Sequence, residues 1–165
     1  MARRPSEQND TAAKPLEELT YKVIGCAMRV HNQLGPGLKE SVYQRALSLE
    51  LHSAGVAYEE ERAREIEIDG VPIGLLYVDH LIEERLIVEE KAFSHLLTND
   101  EIAQVITYLC ALELDVGLLL NFGRRSLQYK RIFPPKDVTR WRERIRRYVW
   151  NPAASGHPLQ ESVDR

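Results

Sequence analysis

Apolar residues recur every three or four positions in two stretches near the N-terminus, and this spacing predicts two helices. The first stretch runs from Leu16 to Leu34 and ends at Gly35-Pro36-Gly37, a sequence that breaks helices. The second runs from Lys39 to about Ser53, and Gly55 lies just past its end. Two helices are therefore expected before any strand.

The spacing changes after Gly55 to the alternation that is typical of strands. Acidic and apolar residues alternate between Glu65 and Gly70, which predicts a strand that ends in an Asp-Gly turn. Two short apolar runs, Ile73 to Ile82 and Leu86 to Phe93, predict two more strands joined by a turn at residues 83–85.

The second half of the chain is predicted to hold one helix, two strands and a basic helix. Asn99 and Asp100 are typical of a helix N-cap, and residues 101–114 have an amphipathic pattern. Residues 116–122 are almost all apolar, as in a strand that is covered on both faces, and residues 127–133 predict a last strand. A basic helix is predicted at residues 137–150, which gives the order ααβββαββα.

The length of 165 residues suits a single domain. We expect a disordered leader at residues 1–15, one domain at 16–134, the basic helix at 135–150 and a flexible tail at 151–165. No apolar run approaches the roughly 20 residues that span a bilayer, and the N-terminus lacks the apolar core of a secretory signal. A cytoplasmic protein without a membrane partner is therefore expected.

Acidic and basic residues are segregated along the chain, although the net charge is only −3. Residues 59–90 carry eleven acidic and three basic side chains, a net charge of −8. Residues 124–147 carry ten basic and two acidic side chains, a net charge of +8. A metal site favours the first composition and a phosphate backbone the second, but the charges alone favour two solvated faces.

The predicted hairpin at residues 75–93 brings three ionisable side chains together. With a turn at residues 83–85, Asp79 lies directly across from Glu89, and Lys91 shares the strand face of Glu89. Two opposed carboxylates in an apolar sheet are destabilising unless a cation such as Mg²⁺ or Mn²⁺ binds them. A salt-bridge cluster without metal is the other interpretation, and the spacing of these residues alone favours it.

Two predicted helices carry further candidates. Glu40 and Tyr43 share one face of the second helix, and Gln104 and Tyr108 share one face of the later helix. Each pair taken alone is more typical of a helix surface than of a functional site.

The segment Gly37-Leu38-Lys39-Glu40-Ser41-Val42-Tyr43 resembles the G-x-x-E-x-x-Y signature of the bacterial GxxExxY proteins, a branch of the PD-(D/E)XK nuclease superfamily. The resemblance runs from about Leu19 to Ile132 and includes the segments YVDHLIEERLIVEEKA, EIAQVITYL and VGLLLNFG. It implies a restriction-endonuclease-like α/β (α+β) core, in which helices flank a central mixed sheet.

The resemblance also implies roles for individual residues. Asp79, Glu89 and Glu40 would be metal ligands for Mg²⁺ or Mn²⁺, and together with Lys91 they would form the catalytic set. The expected substrate-binding residues are Gln104, Tyr108, Tyr43, Arg124, Arg125 and Lys130. Glu90 and His80 depart from the family pattern, which has apolar residues there, so the packing of the opposite sheet face is in question.

A Mg²⁺-dependent nuclease that acts on DNA or RNA is the function this resemblance implies. The alternative is a catalytically silent module that keeps the nuclease fold and binds nucleic acid or a partner protein, within a prokaryotic defence or repair system. A homodimer is expected by analogy with other small metal nucleases.

Overall fold

A computed structural model describes residues 10–68 and 71–136. The described residues form three helices and five strands in the order α1 (Asp10–Leu34), α2 (Glu40–Ser53), β1 (Tyr58–Ile68), β2 (Val71–Ile82), β3 (Leu86–Lys91), α3 (Asn99–Leu112), β4 (Val116–Asn121) and β5 (Gln128–Ile132). The predicted order is thus confirmed as far as β5. The predicted basic helix at residues 137–150 and the tail at 151–165 lie outside the described residues.

The five strands form one mixed sheet in the order β1-β2-β3-β4-β5. β3 and β4 are parallel and are joined through α3, whereas the other neighbouring strands are antiparallel. The carboxyl ends of β3 and β4 therefore lie side by side at one end of the sheet, where Lys91 pairs with Asn121. An α/β fold with a central mixed sheet is confirmed.

The helices cover opposite faces of the sheet. Leu86 and Val88 of β3 pack in the core that contains residues of α1 and α2, while Ile87 packs in the core that contains residues of α3. Because side chains alternate along a strand, Glu90 faces α1 and α2, and Glu89 and Lys91 face α3. All six residues of β4 are buried, as predicted for a strand that is covered on both faces.

Three boundaries differ from the prediction. α1 begins at Asp10, six residues before the predicted start at Leu16, and Ala12 and Ala13 have high helix propensity. α3 is capped by Thr98 and not by the predicted Asn99 or Asp100, because Thr98 and Glu101 form a reciprocal capping box. β1 begins at Tyr58, seven residues before the alternating segment that predicted it.

α1 is the longest described helix, at 25 residues, and it is amphipathic. Within residues 10–68 and 71–136, no helix is both long and apolar enough to cross a membrane.

Candidate active site

The hairpin of β2 and β3 has the predicted register up to the point where its ladder ends. His80 pairs with Val88, and Ile82 pairs with Leu86, as a turn at residues 83–85 requires. The ladder ends at the pair of His80 and Val88, so Asp79 and Glu89 do not form the regular cross-strand pair that the sequence predicted. The two strands separate one residue before the candidate carboxylates.

Asp79 and Glu89 are instead joined through their side chains. The backbone N–H of Asp79 donates to Oε1 of Glu89 over 3.1 Å. The backbone N–H of Glu90 donates to Oδ2 of Asp79 over 3.0 Å. Each strand thus offers a carboxylate to the backbone of the other, which replaces ladder hydrogen bonds and holds both carboxylates where the strands separate.

The surroundings of Glu89 strongly disfavour the ionised form of its carboxylate. Its side chain is buried, and burial together with the negative charge of Asp79 raises the pKa of Glu89 well above its ordinary value. The positive charge of Lys91 acts in the opposite direction, but it is a smaller effect. A bound cation would relieve this unfavourable environment.

The start of α2 brings a third carboxylate to the same place. Glu40 is the first residue of α2, and its side chain is half-buried. Burial and the charge of Asp79 raise the pKa of Glu40, while the positive charge of Lys91 lowers it. Glu40, Asp79, Glu89 and Lys91 therefore form one electrostatically coupled group.

The third helix contributes Gln104 and Tyr108 on the face that covers Glu89. Nε2 of Gln104 donates to the hydroxyl oxygen of Tyr108 over 2.7 Å. Burial and the charge of Glu89 raise the pKa of Tyr108 to about 12, so its hydroxyl stays protonated. Tyr108 is almost fully buried, whereas Gln104 is half-buried and so is the more accessible of the two.

Tyr43, one of the substrate-binding residues predicted from the sequence, does not face solvent. Its side chain is fully buried, its hydroxyl donates to the carbonyl oxygen of Gly35 over 2.6 Å, and it accepts from the N–H of Leu38 over 3.2 Å. Gly35 and Gly37 have φ angles of 63° and 102°, which favour glycine. Tyr43 thus ties down the turn that leads into Glu40.

Glu90 and His80, the two departures from the family pattern, are partners of each other. Oε1 of Glu90 lies 2.5 Å from Nδ1 of His80, and Nε2 of His80 lies 2.7 Å from Oγ of Ser48. Ser48 in turn donates to the carboxylate of Glu60, which is exposed. A chain of polar side chains therefore runs from the surface to the buried end of β3.

The protonation states in this chain follow from its electrostatics. Burial raises the pKa of Glu90 well above its ordinary value, and burial lowers the pKa of His80. A neutral Glu90 can donate to Nδ1 of His80, whose Nε2–H then donates to Ser48, so every contact has a donor. Oε2 of Glu90 is buried and has no hydrogen-bond partner among the described residues.

Asn121 is a structural residue of the site that the sequence did not single out. Its Oδ1 accepts from the N–H groups of Phe93 and Gly123 over 2.9 and 3.1 Å, and its Nδ2 donates to the carbonyl oxygen of His95 over 3.0 Å. It pairs with Lys91 across the parallel strands. Asn121 therefore fixes the loop that follows Lys91. A polar residue directly after the apolar run of β4 was the available signal.

Three of the predicted substrate-binding residues, Arg124, Arg125 and Lys130, lie on the turn after β4 and on β5. Arg124 is half-exposed, and Arg125 and Lys130 are exposed. Nε2 of His31 donates to the carbonyl oxygen of Arg124 over 2.7 Å, which anchors this turn to the end of α1. Lys130 pairs with Leu119, which itself pairs with Glu89, so it lies two strands from the carboxylates.

Within residues 10–68 and 71–136, no three His, Cys, Asp or Glu side chains are arranged closely enough to hold a metal ion. The carboxylates of Asp79 and Glu89 are instead occupied by backbone N–H groups.

Comparisons with known proteins agree with this fold. A family model for the PD-(D/E)XK nuclease superfamily matches residues 17–132, which is more than half of the chain. One similar solved structure, "Crystal structure of SSO0001", has a TM-score of 0.50 and 20% identity, and the match covers 62% of this chain and 55% of that one. No curated protein matches the chain. The chain belongs to the PD-(D/E)XK nuclease superfamily.

Proposed function

We propose that this protein is a metal-dependent nuclease that hydrolyses phosphodiester bonds in DNA or RNA. The observation that carries the proposal is the exchange of hydrogen bonds between Asp79 and the strand of Glu89, at the point where β2 and β3 separate. Both carboxylates are held there by backbone N–H groups, although burial and the charge of Asp79 raise the pKa of Glu89. Such a pair is typical of a cation site.

The donor set fits a hard divalent cation such as Mg²⁺ or Mn²⁺, because it consists of carboxylate oxygens. Asp79, Glu89 and Glu40 would hold the cation. When bound, it would supply charge neutralisation at the scissile phosphate and a water of lowered pKa.

Other residues of the site have roles that follow from their charge and position. Lys91 would stabilise negative charge that develops on the phosphoryl oxygens, or orient the attacking water. Gln104, hydrogen-bonded to Tyr108, would contact the substrate from α3. Arg124, Arg125 and Lys130 would bind the phosphate backbone beyond the scissile bond.

A cleavage panel tests the proposal. Single- and double-stranded DNA and RNA are incubated with Mg²⁺ or Mn²⁺ and with wild-type protein, Asp79→Asn or Lys91→Ala. We expect each variant to lose at least about a hundredfold in rate, as removal of a charge-stabilising group usually costs. Glu65→Gln is the matched control, because Glu65 is an exposed carboxylate on β1. Absence of cleavage of every substrate by the wild type contradicts the proposal.

A catalytically silent nucleic-acid-binding or protein-binding module is the second candidate. It is favoured by one observation: no three ligating side chains are arranged closely enough to hold a metal ion in the described part of the chain. Calorimetric titration with Mn²⁺ separates the two functions. Binding that is lost in Asp79→Asn supports the nuclease, and absence of binding together with retained nucleic-acid affinity supports the silent module.

A further inference from the structure

A groove lies between α1 and β5, the strand at the edge of the sheet. It has a volume of about 440 Å³ and is lined by Tyr21, Ile24, Gly25, Met28, Tyr129, Lys130 and Arg131. Tyr21 and Tyr129 are 65% and 47% exposed, although large aromatic residues are usually more covered. The groove thus contains two exposed aromatic rings, and its two charged side chains are both basic.

The planar groups in this groove are already arranged for stacking. The guanidinium carbon of Arg131 lies over the ring of Tyr21, 5.1 Å from its centroid. Leu118 and Leu120 of β4 face α1, and their partners Arg131 and Tyr129 share that face. Tyrosine rings and guanidinium planes are the platforms on which proteins stack unpaired bases.

The groove is connected to the candidate active site by basic residues. Lys130 and Glu89 are both partners of Leu119, so two strand spacings of roughly 4.8 Å separate them. Arg124 and Arg125 occupy the turn that joins β4 to β5. Lys130 shares the sheet face of Glu89, whereas Tyr129 and Arg131 lie on the opposite face. A strand of nucleic acid that leaves the carboxylates would therefore meet positive charge as it passes round the edge strand β5 to Tyr129.

A second copy of this chain fits the groove less well than nucleic acid does. β5 is an edge strand, and an exposed lysine on an edge opposes pairing with another strand. In a two-fold symmetric contact Lys130 and Arg131 would approach the same residues of the partner, so like charges would meet. A polyanion has the complementary charge.

We propose that the groove between α1 and β5 binds single-stranded nucleic acid, with bases stacked on Tyr21 and Tyr129 and phosphates held by Lys130 and Arg131. This inference rests on the proposed function, because the bound strand is the one whose scissile phosphate lies at Asp79 and Glu89. It makes single-stranded DNA or RNA the preferred substrate class, since bases paired in a duplex cannot stack on the rings.

The stacking part of the proposal is tested by fluorescence anisotropy with a labelled oligothymidylate and a labelled duplex, in EDTA so that no cleavage occurs. The wild type is expected to bind the single strand more tightly. Tyr21→Ser and Tyr129→Ser should each weaken single-strand binding by about tenfold, whereas the phenylalanine variants, which keep the ring, should bind like the wild type. Leu49→Ala is the control, because Leu49 is 66% exposed on α2, outside the groove.

The charged part is tested by the salt dependence of the same binding. Lys130→Gln and Arg131→Gln should each reduce the slope of log K against log salt concentration by about 0.7, the value for one phosphate contact on a single strand. Glu17→Gln should tighten binding, because Oε1 of Glu17 lies 3.7 Å from the guanidinium of Arg131 and competes with phosphate.

The outcomes separate this inference from the proposed function. If both serine variants bind the single strand like the wild type, the groove proposal is overturned while cleavage at Asp79 and Glu89 is untouched. If the wild type sediments as a dimer, and the serine variants sediment as monomers but bind the single strand like the wild type, the groove is an interface between copies. The proposal is then also overturned. If the wild type neither binds nor cleaves any nucleic acid, the proposed function fails first.

Discussion

The ring of Tyr43 stacks on the ring of Phe122, with 4.8 Å between their centroids and 8° between their planes. Tyr43 belongs to α2, and Phe122 follows β4 directly. The stack therefore connects the helix that begins at Glu40 with the end of the strand that lies beside Lys91. The stack thus fixes the position of the start of α2, which carries Glu40, relative to the end of β3, which carries Lys91.

Removal of the Tyr43 hydroxyl is expected to lower both stability and activity. Tyr43→Phe keeps the stack on Phe122 but leaves the carbonyl of Gly35 and the N–H of Leu38 without their partner. Loss of such buried hydrogen bonds costs about 1–3 kcal/mol in the free energy of unfolding. Urea denaturation measures this loss, and a cleavage assay should show reduced turnover because the turn before Glu40 loosens. Tyr21→Phe, an exposed tyrosine on α1, is the control, and an equal loss there would contradict the argument.

Glu90→Gln is expected to flatten the dependence of stability on pH. Burial raises the pKa of Glu90, so its contribution to stability is present at low pH and is lost as the pH rises through the raised value. Burial lowers the pKa of His80, so its contribution is lost as the pH falls below its ordinary value of 6.5. Glutamine keeps a donor for His80 and carries no charge. Thermal unfolding at a series of pH values should show that stability declines less with rising pH in Glu90→Gln than in the wild type.

The control for this experiment is Glu60→Gln, at the exposed end of the same hydrogen-bonded chain. Its side chain is 54% exposed, so its substitution should leave the decline of stability with rising pH as it is in the wild type. A decline that Glu90→Gln leaves unchanged would show that another group titrates.

The sequence could predict the register of the hairpin, but it could not predict which residues of the site are buried. The pairing of His80 with Val88 follows from the length of one turn, which is local information. The spacing of Glu40 and Tyr43 shows that they share a side of α2, but only packing decides that Tyr43 faces Phe122. Local spacing therefore predicts which side chains are neighbours, and not which of them are buried.

The pairing of His80 with Glu90 depends on contacts between distant parts of the chain. Each residue alone is a buried polar group on an apolar face, which sequence reasoning treats as a conflict. The conflict is resolved by Ser48, which α2 brings to the same place. The same holds for Asn121, whose partners Phe93 and His95 come from a loop that precedes α3. No periodicity in the sequence reports such partners.

Asn121→Ala is expected to release the loop after Lys91. Oδ1 and Nδ2 of Asn121 hold Phe93 and His95, and the loop backbone approaches so closely that a Cβ added at Gly123 would lie 2.4 Å from the carbonyl oxygen of Phe93. Hydrogen exchange at the Phe93 amide should become faster, and the cleavage rate should fall, because Lys91 loses its fixed position. Asn99→Ala, at the exposed start of α3, is the control. Unchanged exchange at Phe93 would contradict this role of Asn121.

Glu89→Gln is expected to stabilise the metal-free protein while it abolishes cleavage. Burial and the charge of Asp79 raise the pKa of Glu89, so its contribution to stability is present at low pH and is lost as the pH rises through the raised value. Glutamine removes the charge, and its Oε1 can still accept the N–H of Asp79, so Glu89→Gln is expected to be more stable than the wild type at pH 8. Urea unfolding in EDTA measures this gain, and the cleavage assay measures the loss of function. If Glu89→Gln is instead less stable than the wild type, the Glu89 carboxylate stabilises the fold through Lys91. The site is then a salt-bridge cluster, and the metal-dependent mechanism loses its main support.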